Sequence, residues 1–379
     1  MTTTLRWIVD HFLLLPIGGL MALVGANLWP QQYFVFARSW AFWVNDIAMA
    51  LFFGLIAQEV LEEVMPGGAL HQWRRWLLPV VAASGAMTGA ALVYLAYVSW
   101  SHELVLRNGW PVATAIDVVV VYVLVRAVFG RHPAVPFVLL VAIASNLAGL
   151  AFVAARQPFV RWEPEGFVML AFALFLAFSM RVVSVRSFWP YVLVSGPLVW
   201  WSLYVAGLNP ALALVPIMPF VPHTPRSMTL FEDRPDTPHA SPTHFEHVFM
   251  YPVHVVLFLF GLVNAGVLLA GYGTGTWALV AAALVGKPLG LMLGTALAVA
   301  LGLRLPRGLH WRDVAIVALA TCGGFAFALF FATAVFPIGP VLGELKLGAI
   351  ITGIGVPVAI FVAWRWKIGR FGREHAHAA

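Results

Sequence analysis

Cysteine and charge are both scarce in this chain. Cys322 is the one cysteine among 379 residues, so no disulfide can form within the chain and nothing points to an oxidising compartment. Asp, Glu, Lys and Arg together make up 10% of the residues, against about 25% in an average soluble domain. That is too little polar surface to cover a water-soluble globule of this size, so a soluble enzyme is excluded. The chain is instead 61% hydrophobic with a mean hydropathy of +0.90, which is the composition of a multi-span membrane protein. The net charge of +6 then reflects basic residues anchoring one side of a bilayer, and nucleic acid is not expected as a partner.

A spanning helix needs roughly 20 apolar residues. Runs of that kind predict about twelve spans, near 7–29, 41–62, 77–98, 110–129, 134–154, 166–184, 188–205, 207–221, 247–270, 276–302, 312–334 and 342–366. The first run is as long as a full span and no clear small-x-small cleavage site follows it, so it reads as a helix and not a signal peptide. With the N-terminus in the cytoplasm, 16 Lys and Arg fall on the inner side and 4 on the outer, with Lys287 and Lys346 assigned to spans. This bias predicts both termini inside. The fold class is therefore all-α and polytopic, one membrane domain over 1–379. A Pro-, His- and charge-rich cytoplasmic linker covers 222–245 and a cytoplasmic tail 367–379. His244 and His247 are spaced for a metal, but no third ligand is placed, and a solvated linker is the simpler reading. "GYGTG" at 271–275 reads as a turn between spans, since no strand precedes it to make a phosphate loop.

Ionisable residues within spans are expensive and mark function by default. Lys287, in "ALVGKPLGLMLG", sits mid-span, too far from either end to snorkel. Asp117 lies in span four and Asp46 in span two, where capping a helix start is the simplest role for Asp46. Glu344 and Lys346 open span twelve and read as snorkelling to the interface. Glu59, Glu62 and Glu63 read either as a solvated helix end or as a pH-sensing or gating cluster. Two spans look breakable: span four, through "GWPVATA", and span eleven, through Gly323 and Gly324 in "TCGGFAFA". Paired interruptions in inverted repeats point to a secondary transporter's midplane site, and spans three to five and ten to twelve would be those repeats.

The stretches "WVNDIAMALFFGLIAQEV", "GWPVATAID", "FEHVFMYPVHVVLFLFGLVNAGV", "GKPLG" and "CGGFAFALFFA" give the chain a resemblance, over nearly its whole length, to the NhaA-type bacterial sodium/proton antiporters. The resemblance implies twelve spans with cytoplasmic termini and a site where broken spans four and eleven cross. It also implies a monovalent cation and protons as substrates, no cofactor, no metal beyond transient sodium, and a homodimer in the bilayer. In that family two adjacent span-five aspartates carry cation and protons, and a span-ten lysine pairs with the second of them. A span-four aspartate balances the positive ends of the broken helices. The lysine carries over as Lys287 and the span-four threonine as Thr114.

The acids do not carry over. "VAIASNLAGL" places Ser145 and Asn146 at the span-five aspartate positions, and matching "TAI" to the family's Thr-Asp-Ile puts Ala115 at the span-four one. Asp117 stands two residues further on, roughly 200° around a regular helix, and reaches the crossing only if the backbone unwinds. Neither serine nor asparagine titrates, and without a partner the charged form of Lys287 is disfavoured. Three readings follow. The first is a cation/proton antiporter with an altered site, using Lys287, Asp117, Ser145, Asn146 and Thr114. The second is the same scaffold with an anion or neutral solute as substrate, held by Lys287. The third is a non-transporting membrane subunit or sensor.

Overall fold

A computed structural model describes residues 14–64, 73–130, 132–155, 163–222 and 244–372. These residues are helical with no strand among them. Most of the expected linker and tail, and the side chains of Glu59, Glu62, Glu63, His244 and His247, lie outside the described residues.

Among the described residues six helices are long and apolar enough to cross a membrane: Pro30–Gln58, Trp76–Trp100, Ala134–Phe152, Pro164–Val182, Thr274–Ala300 and Pro340–Gly372. Two bent pairs raise the number to eight. Leu104–Thr114 with Val118–Phe129 is bent by 46°, and Trp311–Ala320 with Phe325–Val335 by 48°. Shorter apolar helices at Leu14–Leu28, Tyr191–Val205, Pro210–Phe220 and Pro252–Asn264 stand where the sequence places spans one, seven, eight and nine. The order expected from hydropathy is thus kept, and both predicted breaks fall in spans four and eleven. Large apolar side chains face outward, for example Phe172, Phe175, Leu293 and Trp364, as they must where lipid is the solvent.

The chain divides into two compact units, residues 1–71 with 154–266 and residues 72–153 with 267–379. In the first, spans one and nine approach closely at glycine: a Cβ on Gly261 would lie 2.6 Å from the Leu15 carbonyl oxygen. Tyr33 ties span two to the end of span nine, donating to the Leu262 carbonyl at 2.9 Å and accepting the Gly266 N–H at 3.0 Å. Asn45 and Asn264 exchange amide hydrogen bonds of 3.1 and 2.6 Å between the same spans.

Span two corrects two expectations. It starts at Pro30, not near 41, because proline suits a helix's first turn and Tyr33 packs inward despite the polar Gln31, Gln32 and Arg38. Asp46 therefore sits inside a continuous helix, on the π-helical turn Trp43–Ala48, and does not cap a helix start.

The second unit holds spans three to five and ten to twelve, the two sets expected to be repeats. Each set runs as a long helix, a broken helix and a further helix. Spans three and ten pack antiparallel along glycines. A Cβ on Gly89 would lie 2.8 Å from the Gly290 Cα, and one on Gly85 would lie 2.7 Å from the Gly294 Cα. Small residues four apart let the two backbones touch, which is how helices gain contact where lipid removes any hydrophobic drive.

Glu344 is no snorkelling side chain. Its Oε2 accepts the Gly275 N–H at 2.8 Å, and its backbone carbonyl accepts the Thr276 hydroxyl at 2.9 Å. A carboxylate thus sits on the positive N-terminal end of span ten and fastens it to span twelve.

Candidate ion-translocation site

Span four stops being helical after Thr114 and resumes at Val118. Pro111 sets the short first half, and Asp117 caps the second. Unwound backbone at membrane depth needs partners for its buried N–H and C=O groups. Those from the Thr114 carbonyl to the Asp117 carbonyl can be followed one by one.

The Thr114 carbonyl accepts the Ser145 hydroxyl at 3.1 Å. The Ala115 N–H bonds the Val112 carbonyl at 3.4 Å, and the Ala115 carbonyl accepts the Lys287 ammonium. Ile116 is held on both sides by one side chain: its N–H donates to Asn146 Oδ1 at 3.1 Å, and its carbonyl accepts from Asn146 Nδ2 at 2.6 Å. The Asp117 N–H crosses to the Gly323 carbonyl in the break of span eleven at 2.9 Å. Its own carbonyl accepts the Val121 N–H at 3.0 Å, opening the next helix.

The Asp117 carboxylate serves both broken spans. Oδ1 accepts the Val119 and Val120 N–H groups at 3.2 Å each, and Oδ2 accepts the Ala326 N–H at 3.0 Å. These N–H groups open the second halves of spans four and eleven, where the helix dipoles concentrate positive charge. Asp117 therefore does what Ala115 cannot. The 200° objection fails because residues 115–117 are not helical.

Lys287 begins the helix Lys287–Ala300, directly after a π-helical turn, Ala282–Gly286. That turn adds a residue to the helix just before Lys287, and Pro288 follows. The Lys287 side chain is only 2% exposed. Among the described residues no carboxylate oxygen comes within 4.0 Å of its amine, so it does not pair with Asp117. Its hydrogen-bond partner is a backbone carbonyl, that of Ala115. Gly324 makes room for this arrangement: a Cβ there would lie 2.6 Å from the Ala115 oxygen and 3.3 Å from the Lys287 amine.

The structure thus brings Thr114, Ser145, Asn146, Asp117, Lys287, Gly323 and Gly324 together at one crossing. The Thr114 hydroxyl turns away, bonding the Pro111 carbonyl at 2.8 Å, so this residue meets the crossing through its carbonyl. Among the described residues no group of three or more His, Cys, Asp or Glu could hold a resident metal ion. Sequence reasoning missed Ala115 and Ile116, which contribute only backbone atoms. It also missed the close approach of spans three and ten, whose signal was present as glycines at 85, 89, 286, 290 and 294.

The family model described as Na+/H+ antiporter 1 matches residues 22–366. A Na+/H+ antiporter NhaA from Geobacter metallireducens is 39% identical over 366 residues, covering 93% of this chain and 95% of the relative. One from Desulfitobacterium hafniense is 35% identical, covering 94% of each chain. An NhaA 2 from Pelobacter propionicus is 39% identical, covering 88% of this chain and 90% of the relative. The chain belongs to the Na+/H+ antiporter family, as a polytopic membrane protein with two broken spans.

Proposed function

We propose that the chain exchanges a monovalent cation for protons by alternating access through the crossing of spans four and eleven, with an ion site altered from the family's. The observation that carries this reading is the Lys287 ammonium seated on the Ala115 carbonyl, in a stretch of unwound backbone. A carbonyl that accepts a cationic ammonium can accept a cation in its place. When Lys287 releases its proton and withdraws, the Ala115 and Thr114 carbonyls and the Ser145 hydroxyl offer neutral oxygens to an incoming ion. Hard cations such as sodium favour oxygen ligands, and Asp117 supplies the negative charge beside them. Proton and cation then compete for one place, which is the requirement for exchange.

The same geometry weighs against an anionic substrate. The two helix N-termini that would attract an anion are already occupied by Asp117. A cytoplasmic-membrane location with both termini inside, and a homodimer, belong to this reading as well. Glu59, Glu62 and Glu63 remain its proposed pH-sensing or gating cluster.

Purified protein in liposomes with an entrapped pH-sensitive dye tests it. Sodium or lithium pulses are expected to move protons outward against the ion. Pulses that never move protons at any pH, while an organic or inorganic anion accumulates, would replace this reading with the changed-substrate one.

A further inference from the structure

We infer that Asn146 is a positioning residue, acting through Ile116 to hold the Ala115 carbonyl where Lys287 meets it. The inference concerns how the proposed site is assembled, and its geometric basis does not depend on which ion is carried.

Asn146 is 2% exposed and spends its amide on one residue. Its oxygen takes the Ile116 N–H and its nitrogen gives a proton to the Ile116 carbonyl, at 3.1 and 2.6 Å. The two bonds close a ring that fixes the peptide planes on either side of Ile116. The plane before Ile116 is the one that carries the Ala115 carbonyl, the acceptor of the Lys287 ammonium. Rotating that plane would turn the carbonyl away from the lysine and leave a buried N–H and a buried C=O unsatisfied together.

Asn146 must therefore donate as well as accept. A carboxylate at this position has two acceptors and would face the Ile116 carbonyl with a lone pair. A carboxylic acid, with one O–H and one C=O, reproduces the asparagine pattern. This separates positioning from simple ion coordination, which an acid at 146 would strengthen.

The test is Asn146→Asp beside Asn146→Leu, in full-length protein, read two ways. The first readout is sodium-driven proton flux in liposomes across pH 5.5 to 8.5, taken as a ratio to the parent protein at each pH. Asn146→Asp is expected to fall about tenfold or more below the parent at the alkaline end, and to approach it at the acid end. Asn146→Leu is expected to stay low throughout. The second readout is the melting temperature of detergent-solubilised protein over the same range. Only the protonated carboxyl can donate to the Ile116 carbonyl, so deprotonation removes that bond. The Asn146→Asp deficit against the parent should widen with rising pH.

Parent-like flux and melting for Asn146→Asp at alkaline pH, or full flux for Asn146→Leu, would overturn the inference. If the parent itself moves no protons, the exchange reading fails, and the melting comparison still decides the role of Asn146.

Discussion

Replacing Asp117 by asparagine tests the crossing at its most heavily shared side chain. The carboxylate accepts three backbone N–H groups, two from span four and one from span eleven. Asparagine is nearly the same size but has one acceptor end. If that end keeps Val119 and Val120, the amide nitrogen faces the Ala326 N–H, donor against donor. The variant loses a hydrogen bond to a charged acceptor, a loss of about 1.5–3 kcal/mol, and strands a buried N–H at about 1–3 kcal/mol. It also removes the negative charge from two helix N-termini, an effect of up to about 2 kcal/mol where partly buried. These contributions overlap, and we take their joint size as about 3–5 kcal/mol. At about 1.4 kcal/mol per tenfold, that lowers the assembled fraction of the crossing more than about a hundredfold. Asp117→Asn should therefore lose nearly all sodium-driven proton flux and melt several degrees below the parent in detergent. A variant that melts with the parent and keeps its flux would show that the carboxylate does not join the two broken spans.

Three further outcomes follow from the same geometry. Lys287→Ala removes the cationic partner of the Ala115 carbonyl and should abolish exchange, measured as proton flux on a sodium pulse. Gly324→Ala places a methyl 2.6 Å from the Ala115 oxygen and should displace that carbonyl from the lysine. A cost of about 1–3 kcal/mol for such overpacking predicts flux reduced roughly tenfold or more, with folding intact by size-exclusion profile and melting curve. Gly89→Leu drives a side chain into the Gly290 backbone across spans three and ten, and should lower the melting temperature further than Gly324→Ala does.

Much of the fold was legible because lipid imposes one rule, long apolar helices with satisfied backbones, and hydropathy reads that rule directly. The two broken spans were legible for the converse reason, since Gly323, Gly324 and Pro111 interrupt otherwise apolar runs. Span two was misjudged at its start because Gln31, Gln32 and Arg38 lower its hydropathy, while its helix is set by Pro30 and by Tyr33 bonding 229 or more residues away. At the site, the residues expected there do meet at the crossing, but their geometry was not legible. Projecting Asp117 on a regular helix pointed it away from the crossing, and the unwound backbone removed the basis for that projection. Ser145 and Asn146 read as ion ligands because the resemblance put them at the acid positions. Both also bond backbone some 30 residues earlier, a pairing that neither periodicity nor composition encodes.

On the proposed reading, Lys287 exchanges its proton for the cation while Asp117 stays bound to three N–H groups. The crossing then carries the same net charge with a protonated lysine as with a bound sodium ion. The most direct measurement is the number of protons moved per sodium in proteoliposomes, using radiolabelled sodium with a pH dye and a membrane potential set by potassium and valinomycin. One proton per sodium, at a rate unchanged by the potential, is the predicted result. Two protons per sodium, or a rate that follows the potential, would contradict the account.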